Sequence, residues 1–165
     1  MAKLYFRYAA MNAGKSTSLL QAAYNYEERG MAVVLLTAEL DSRDGVGQIA
    51  SRLGLSRDAV TFNITHSMAE RIAHAQQTLW IAKLSCVLID EAQFLTTAQV
   101  QELHHWAHAY DTPVMCYGLR SDFQGKAFAG AATLLVLADD IEEMKTICEC
   151  GKKASMNARF TDTGE

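Results

Sequence analysis

The sequence predicts a three-layer α/β fold in which a mostly parallel sheet is covered by helices on both faces. Short apolar runs alternate along the 165 residues with longer segments whose apolar positions recur every three or four residues. The first apolar run leads into a loop containing glycine and lysine, and a helical segment follows at once. Strand, loop and helix in this order are typical of a phosphate-binding loop.

Residues 9–16 carry that loop pattern. Its backbone N–H groups would point at phosphate oxygens, and the positive end of the following helix would add to the attraction. Lys15 would reach the β- and γ-phosphates, and the Ser16 hydroxyl would bind Mg²⁺. Ala9 stands where the pattern has glycine, although Asn12 and Gly14 still permit left-handed backbone angles. The fold expected is therefore the phosphate-loop NTPase (RecA-like) type.

The first half of the chain supplies the next elements. A strand at 3–9 and a helix at 15–29 flank the loop. The continuous apolar run 32–38 is typical of a strand buried on both faces of a parallel sheet. Residues 46–58 have no clear pattern, and we expect a short helix and a turn there, before a short strand at 59–62.

The second half continues the alternation. Amphipathic spacing predicts helices at 67–82 and 97–110, the second capped by Thr96 or Thr97. Three apolar runs predict strands: residues 84–89, 114–119 and 133–138. The residues expected on the apolar helix faces are Met68, Ile72, Ala75, Leu79, Val100, Leu103, Ala107 and Tyr110.

Other residues of the helices receive structural interpretations. We expect Trp80 and Trp106 in the core. His104 and His105 are adjacent and cannot share one helix face, so we interpret them as solvated surface rather than as ligands.

Composition and charge limit the classes of partner. The chain is 50% hydrophobic and carries a net charge of −4, which argues against a nucleic-acid-binding surface. No apolar run approaches the roughly 20 residues of a membrane span. Met1–Lys3 leads directly into the first strand, so we expect no signal peptide and a cytoplasmic location.

The four cysteines fall into two kinds. Cys86 and Cys116 lie in apolar runs and are expected in the core. Cys148 and Cys150, one residue apart, are better interpreted as half of a metal site than as a disulfide. The five histidines lie far from this pair in sequence. We divide the chain into a nucleotide-binding domain, 1–143, and a small C-terminal module, 144–165.

Further candidate site residues follow predicted strands. Asp90 and Glu91 end a hydrophobic strand, where one carboxylate would hold Mg²⁺ and the other, pointing to the opposite side, would act as a base. Alternatively, the two residues only end the strand. Arg43 could clamp phosphate oxygens or be an exposed loop residue. Three aromatic residues could stack on a nucleobase or belong to the core: Phe94, Phe123 and Phe128.

Taken together, these segments resemble thymidine kinases of the tetrameric, zinc-containing type. The matching segments span nearly the whole chain: residues 10–17, 24–31, 37–39, 41–43, 90–95, 116–120 and 145–148. The resemblance implies transfer of the ATP γ-phosphate to the 5′-hydroxyl of thymidine or deoxyuridine. It also implies a homotetramer and a structural zinc bound by Cys148 and Cys150.

The resemblance also implies residue roles. Glu91 would be the proton acceptor, and Arg43 would face the phosphates. The remaining ATP-site residues would be Ala9, Ala10, Met11, Asn12, Ala13, Gly14, Lys15, Ser16, Asp90, Ala92 and Gln93. Those around the thymine would be Met11, Phe94, Leu119, Phe123 and Phe128.

In the family a lid and a second ligand pair follow the first cysteine pair. This chain ends at Glu165, where the lid would begin, so we expect a shortened chain with half a zinc site. An alternative hypothesis is therefore an ATP-binding protein without kinase activity. A third is another phosphate-loop enzyme with a different acceptor, which residues 91–94 and 117–119 disfavour.

Overall fold

A computed structural model of the chain describes residues 2–10, 14–39, 47–122 and 124–144, and the backbone of 146–147 and 153–154. The strands are β1 Leu4–Ala9, β2 Ala32–Ala38, β3 Gln48–Ala50, β4 Ser56–Asp58, β5 Val60–Phe62, β6 Leu84–Asp90, β7 Val114–Leu119, β8 Asp140–Glu143, β9 Thr146–Ile147 and β10 Lys153–Ala154. The helices are α1 Lys15–Glu28, α2 Met68–Thr78, α3 Thr97–Ala109 and α4 Ala129–Leu137, with a 3₁₀ turn at Ala92–Phe94.

Six strands form one sheet in the order β5-β2-β6-β7-β1-β8, and every pairing within it is parallel. The predicted α/β class with a parallel sheet is confirmed. Because parallel strands end at the same edge, the residues that follow β1, β6 and β7 lie close together. β7 lies between β1 and β6, and Ala9 at the end of β1 is in register with Leu119 at the end of β7.

Two apolar clusters cover the two faces of the sheet, as the three-layer prediction requires. On one face, Leu19 and Leu20 of α1 pack on alternate residues of β2 and β6. On the other face, α2, α3 and α4 pack on the remaining strand residues. Cys86, Cys116 and Trp106 are buried, as predicted. None of the described helices is both long and apolar enough to cross a membrane.

A helix and a turn were predicted for residues 46–58, but within the described part of this segment, 47–58, β3 and β4 form an antiparallel hairpin. Ile49 inserts into the cluster that contains α1 and is 1% exposed. The Arg57 guanidinium binds both carboxylate oxygens of Glu27 on α1, at 2.7 and 3.0 Å. Strands of three residues are too short to show an alternating pattern, so tertiary contacts determine this segment.

The strand predicted at 133–138 is wrong, because residues 133–137 belong to helix α4 and Ala138 is its C-cap. A short apolar run does not distinguish a buried strand from a buried helix. Gly130, Ala131 and Leu134 are the buried residues of this helix. The last strand of the large sheet is instead β8, a polar edge strand without an apolar signal.

Two helix ends also differ from prediction. Helix α2 ends at Thr78, so Leu79 is 56% exposed and Trp80, predicted in the core, is 94% exposed. Tyr110 follows α3 and is 67% exposed. The other six residues predicted on the apolar helix faces are buried. The Thr96 cap is confirmed, as a capping box with Gln99.

Gly130 allows α4 to approach the 3₁₀ turn. A Cβ atom at this position would lie 2.6 Å from the carbonyl oxygen of Leu95, 2.7 Å from that of Ala92 and 2.9 Å from that of Gln93. We expect Gly130→Ala to lower the free energy of unfolding by about 1–3 kcal/mol, although alanine is the better helix former. Urea denaturation measures this change. Ala132→Ser, at an exposed position of the same helix, should stay within about 0.5 kcal/mol of wild type. A Gly130→Ala protein as stable as wild type contradicts the close approach.

Candidate active site

The predicted phosphate loop lies between β1 and α1. Gly14 is the N-cap of α1 and has φ 80°, a left-handed conformation that glycine adopts without strain. Helix α1 begins with Lys15 and Ser16, so both side chains start from the first turn of the helix. Ala9 is the buried last residue of β1, and Ala10 follows it. Met11, Asn12 and Ala13 lie outside the described residues.

The Lys15 ammonium contacts two carboxylates at the end of β6. Its Nζ lies 2.8 Å from Asp90 Oδ1 and 3.0 Å from Glu91 Oε1. The Ser16 hydroxyl donates to the other oxygen of Asp90 at 3.2 Å. The first turn of α1 is thereby connected to a strand that is not adjacent to β1 in the sheet.

The prediction that Glu91 points to the opposite side of the strand end is wrong. Glu91 has φ 56°, which is uncommon for a residue with a side chain. This conformation ends the extended chain, so the alternation of side chains along β6 does not continue beyond Asp90. Both carboxylates consequently face the same ammonium group.

Charges determine the protonation state of Lys15. Burial by itself lowers its pKa, but the nearby charges of Asp90 and Glu91 and their hydrogen bonds outweigh burial and raise it above 10.5. The ammonium therefore remains charged at neutral pH. It faces two carboxylates, which is the environment that a buried cation requires.

Gln93 connects Glu91 to the end of β7. Its Nε2 donates to Glu91 Oε2 at 2.6 Å, and its Oε1 accepts from the Leu119 backbone N–H at 3.1 Å. Gln93 is 3% exposed. The two oxygens of Glu91 thus have separate partners, Lys15 and Gln93, which fix the orientation of the carboxylate.

A cleft of about 320 Å³ opens beside these groups. Among its lining residues are Lys15, Ser16, Glu91 and Leu119, all predicted for the site. Ala50 and Arg52 also line it, although no sequence pattern indicated them, because they come from the hairpin that was not predicted. The hairpin is fixed to α1 by Arg57, which explains how these residues reach the cleft.

The predicted base-binding aromatic residues are partly described. Phe94 is 39% exposed and lies 5.7 Å from Phe128, centroid to centroid, in an edge-to-face arrangement. Phe94 belongs to the 3₁₀ turn and Phe128 caps α4, so two separate loops bring the rings together. Besides Met11, Asn12 and Ala13, four predicted residues lie outside the described part of the chain: Arg43, Phe123, Cys148 and Cys150.

Comparison with known proteins agrees with this geometry. A family model described as thymidine kinase matches residues 2–165. The chain belongs to the thymidine kinase family. It is 56% identical over 164 residues to a thymidine kinase of Albidiferax ferrireducens, covering 99% of this chain and 80% of that relative.

Other thymidine kinases are similarly related. The one from Novosphingobium aromaticivorans is 56% identical over 166 residues, covering 99% of this chain and 84% of that protein. The one from Escherichia coli K12 is 52% identical over 166 residues, covering 99% of this chain and 78% of that protein. The family that the sequence resembles is therefore confirmed.

The raised pKa of Lys15 makes its contribution to stability dependent on pH. The stabilisation should be fully present below pH 10.5, the unfolded value, and should be lost as the pH rises through the higher folded value. We expect Lys15→Met to lower the free energy of unfolding by about 1–3 kcal/mol near neutral pH, because two carboxylates lose their cation. Urea denaturation across pH 7–12 should show this difference narrowing above pH 10.5. Lys3→Met, at an exposed position, should show neither effect.

Gly118 leaves room for Gln93. A Cβ atom at Gly118 would lie 2.6 Å from Gln93 Oε1 and 3.0 Å from its backbone nitrogen. If Glu91 acts in the reaction, Gly118→Ala should lower kcat by up to about 10²-fold, because it displaces the side chain that orients Glu91. The double variant with Gln93→Ala provides the control. Once Gly118→Ala has displaced the Gln93 side chain, adding Gln93→Ala should lower kcat only a little further. If the losses in kcat of the two single variants instead multiply in the double variant, Gly118 does not act through Gln93.

Proposed function

We propose that the chain transfers the γ-phosphate of ATP to the 5′-hydroxyl of thymidine or deoxyuridine. The observation that carries this proposal is the cluster of Lys15, Asp90 and Glu91 beside the start of α1. Family membership identifies the substrate class, since the relatives are thymidine kinases. The cluster supplies the groups that phosphoryl transfer needs: a cation for phosphates, a carboxylate for a metal ion and a second carboxylate for a proton.

The oxygens of Ser16 and Asp90 fit a magnesium ion. Mg²⁺ prefers oxygen ligands at 2.0–2.1 Å in octahedral geometry, so neighbouring ligands lie roughly 2.9 Å apart. Ser16 Oγ and Asp90 Oδ2 are 3.2 Å apart, which is close to that separation. These two residues would hold the ion, directly or through water, and the ion would neutralise charge on the phosphates.

Lys15 would exchange partners when ATP binds. Its ammonium is paired with the carboxylates of Asp90 and Glu91, each of which contributes one negative charge. The β- and γ-phosphates offer the same cation a denser negative charge at the start of α1, where backbone N–H groups also point outward. Movement of the ammonium toward the phosphates would release Glu91 Oε1.

Glu91 would then act as the general base. Gln93 holds its Oε2, and the departure of Lys15 would leave Oε1 available to accept the proton of the 5′-hydroxyl. The proton would move to Glu91 as the nucleoside oxygen attacks the γ-phosphorus and ADP leaves. The carboxylate also lines the cleft, as an acceptor of that proton must.

The apolar side of the site would hold the thymine. Leu119 lines the cleft, and the Phe94–Phe128 pair belongs to the two loops that follow β6 and β7. Aromatic and aliphatic side chains are suited to the faces and the methyl group of the base. We include Met11, Phe123 and Arg43 in the proposed site on the family resemblance alone.

The same resemblance supports further proposals. Zinc would be bound by Cys148 and Cys150 with two further ligands, as four ligands are usual for structural zinc. The chain would assemble as a homotetramer in the cytoplasm.

Transfer of label from γ-labelled ATP to thymidine tests the proposed reaction. Glu91→Gln should lower kcat by about 10²–10⁴-fold, since the amide cannot accept the proton. It should leave ATP binding nearly unchanged, because Lys15 and Ser16 are retained. Glu28→Gln, at an exposed position of α1, is the matched control and should keep full activity.

Two outcomes would contradict these assignments. Unchanged transfer by Glu91→Gln would mean that another group accepts the proton. A wild-type chain that binds ATP but labels neither thymidine nor deoxyuridine would instead overturn the proposed reaction, and ATP binding alone would remain.

A further inference from the structure

Two histidines and an aspartate meet near the amino end of strand β1, whereas the candidate active site lies at the carboxyl ends of the strands. His104 and His108 lie one turn apart on α3, with ring centroids 4.6 Å apart. Asp139 lies just before β8, and its backbone N–H donates to the Leu4 carbonyl at the start of β1. The candidate active site lies at the other ends of the strands, beyond Ala9 and Asp90. This cluster is therefore separate from it.

The hydrogen bonds of His108 define how its ring is presented. Its Nδ1 lies 2.7 Å from the His104 carbonyl oxygen, which can only accept, so Nδ1 carries a proton. In the neutral ring, Nε2 then carries a lone pair, and it lies 3.3 Å from Asp139 Oδ2. A lone pair facing a carboxylate is unfavourable unless a cation lies between them. That cation is either a proton, which forms an imidazolium, or a metal ion.

Asp139 is held in position by the backbone. Its Oδ2 accepts the Leu4 N–H at 2.8 Å, so the carboxylate is fixed to the start of β1. Such outer contacts orient metal ligands, as does the Nδ1–H bond of a ligating histidine to a carbonyl oxygen. Both supporting contacts are present for this cluster.

The distances suit a tetrahedral ion. Ligand atoms about 2.0–2.1 Å from zinc lie roughly 3.3 Å from one another. Asp139 Oδ2 is 3.3 Å from His108 Nε2, and Asp139 Oδ1 is 3.8 Å from His104 Nε2. One ligand atom from each of the three residues can be chosen so that all lie within 4.8 Å of one another. Small side-chain rotations would therefore close the site.

We propose that His104, His108 and Asp139 form a binding site for a divalent transition-metal ion of the zinc class. Two imidazole nitrogens and one carboxylate are ligands that zinc accepts, with water in the fourth position. The three side chains are 36%, 29% and 28% exposed, so an ion can enter from solvent. The bound ion would join α3 to the start of β1 and β8. This proposed assignment differs from the expectation that His104 is a solvated surface residue rather than a ligand.

Binding of Co²⁺ and Zn²⁺ to the full chain tests the site. Co²⁺ bound by nitrogen and oxygen gives weak visible absorption, whereas binding by Cys148 and Cys150 would add strong thiolate charge-transfer absorption in the near ultraviolet. Beyond any Co²⁺ that gives thiolate absorption, we expect one Co²⁺ per chain to bind without it and to be displaced by Zn²⁺. His104→Ala and His108→Ala should each weaken this binding by at least about tenfold.

The adjacent histidine provides the control. His105→Ala, on the exposed side of α3, should leave the affinity unchanged. Zn²⁺ should also raise the Tm of wild type and of His105→Ala by more than it raises the Tm of His108→Ala, in which only Cys148 and Cys150 could still bind it. The proposal would be overturned if all these variants bound Co²⁺ with equal affinity. It would also be overturned if the only saturable Co²⁺ binding were accompanied by thiolate absorption. The cation between His108 and Asp139 would then be a proton. Circular dichroism identifies any variant that fails to fold, in which case His104→Gln replaces it.

Discussion

The ion cluster of Lys15, Asp90 and Glu91 is the interaction on which the rest of the site depends. It connects α1 to β6 across the intervening strand β7, and it brings three charged side chains together in a mostly buried place. Buried charges are costly unless they are paired, so each group requires the others. With one cation and two carboxylates, the cluster is negative overall. A triphosphate bound beside the cluster, as proposed, would require additional positive charge, which the proposed magnesium ion would supply.

The second constraint is close packing around the 3₁₀ turn after β6. Gly118 of β7 lies against one side of the turn and Gly130 of α4 against another, and a Cβ atom at either position would meet backbone atoms. The turn contains Gln93 and follows Glu91, whose left-handed backbone is costly by itself. Tight packing explains how this conformation persists. The orientation of Glu91 is therefore a property of three neighbouring segments rather than of one residue.

Sequence reasoning succeeded where one physical effect dominates. The residues of β2 were predicted fully, because burial on both faces makes the run continuously apolar. Lys15, Ser16 and Asp90 were predicted for one site because a phosphate site needs these groups at these places in the fold, and the structure brings the three side chains into contact. The predictions were wrong where contacts between residues distant in sequence determine the local structure. The hairpin depends on Arg57 and Glu27, α4 on its fit to the 3₁₀ turn, and the direction of Glu91 on a backbone angle that no residue pattern encodes.

The polar character of β8 protects the sheet against uncontrolled strand addition. An exposed edge of a sheet presents unpaired backbone groups on which another chain can extend the sheet, and charge on the edge discourages this. β8 carries Asp140, Glu142 and Glu143, and Arg7 of the neighbouring strand offsets only part of that charge. At the opposite edge of the sheet, β5 has only three residues, so it offers few backbone groups on which another strand could pair. The polar sequence that concealed β8 from prediction thus guards the chain against aggregation while its parallel sheet is forming.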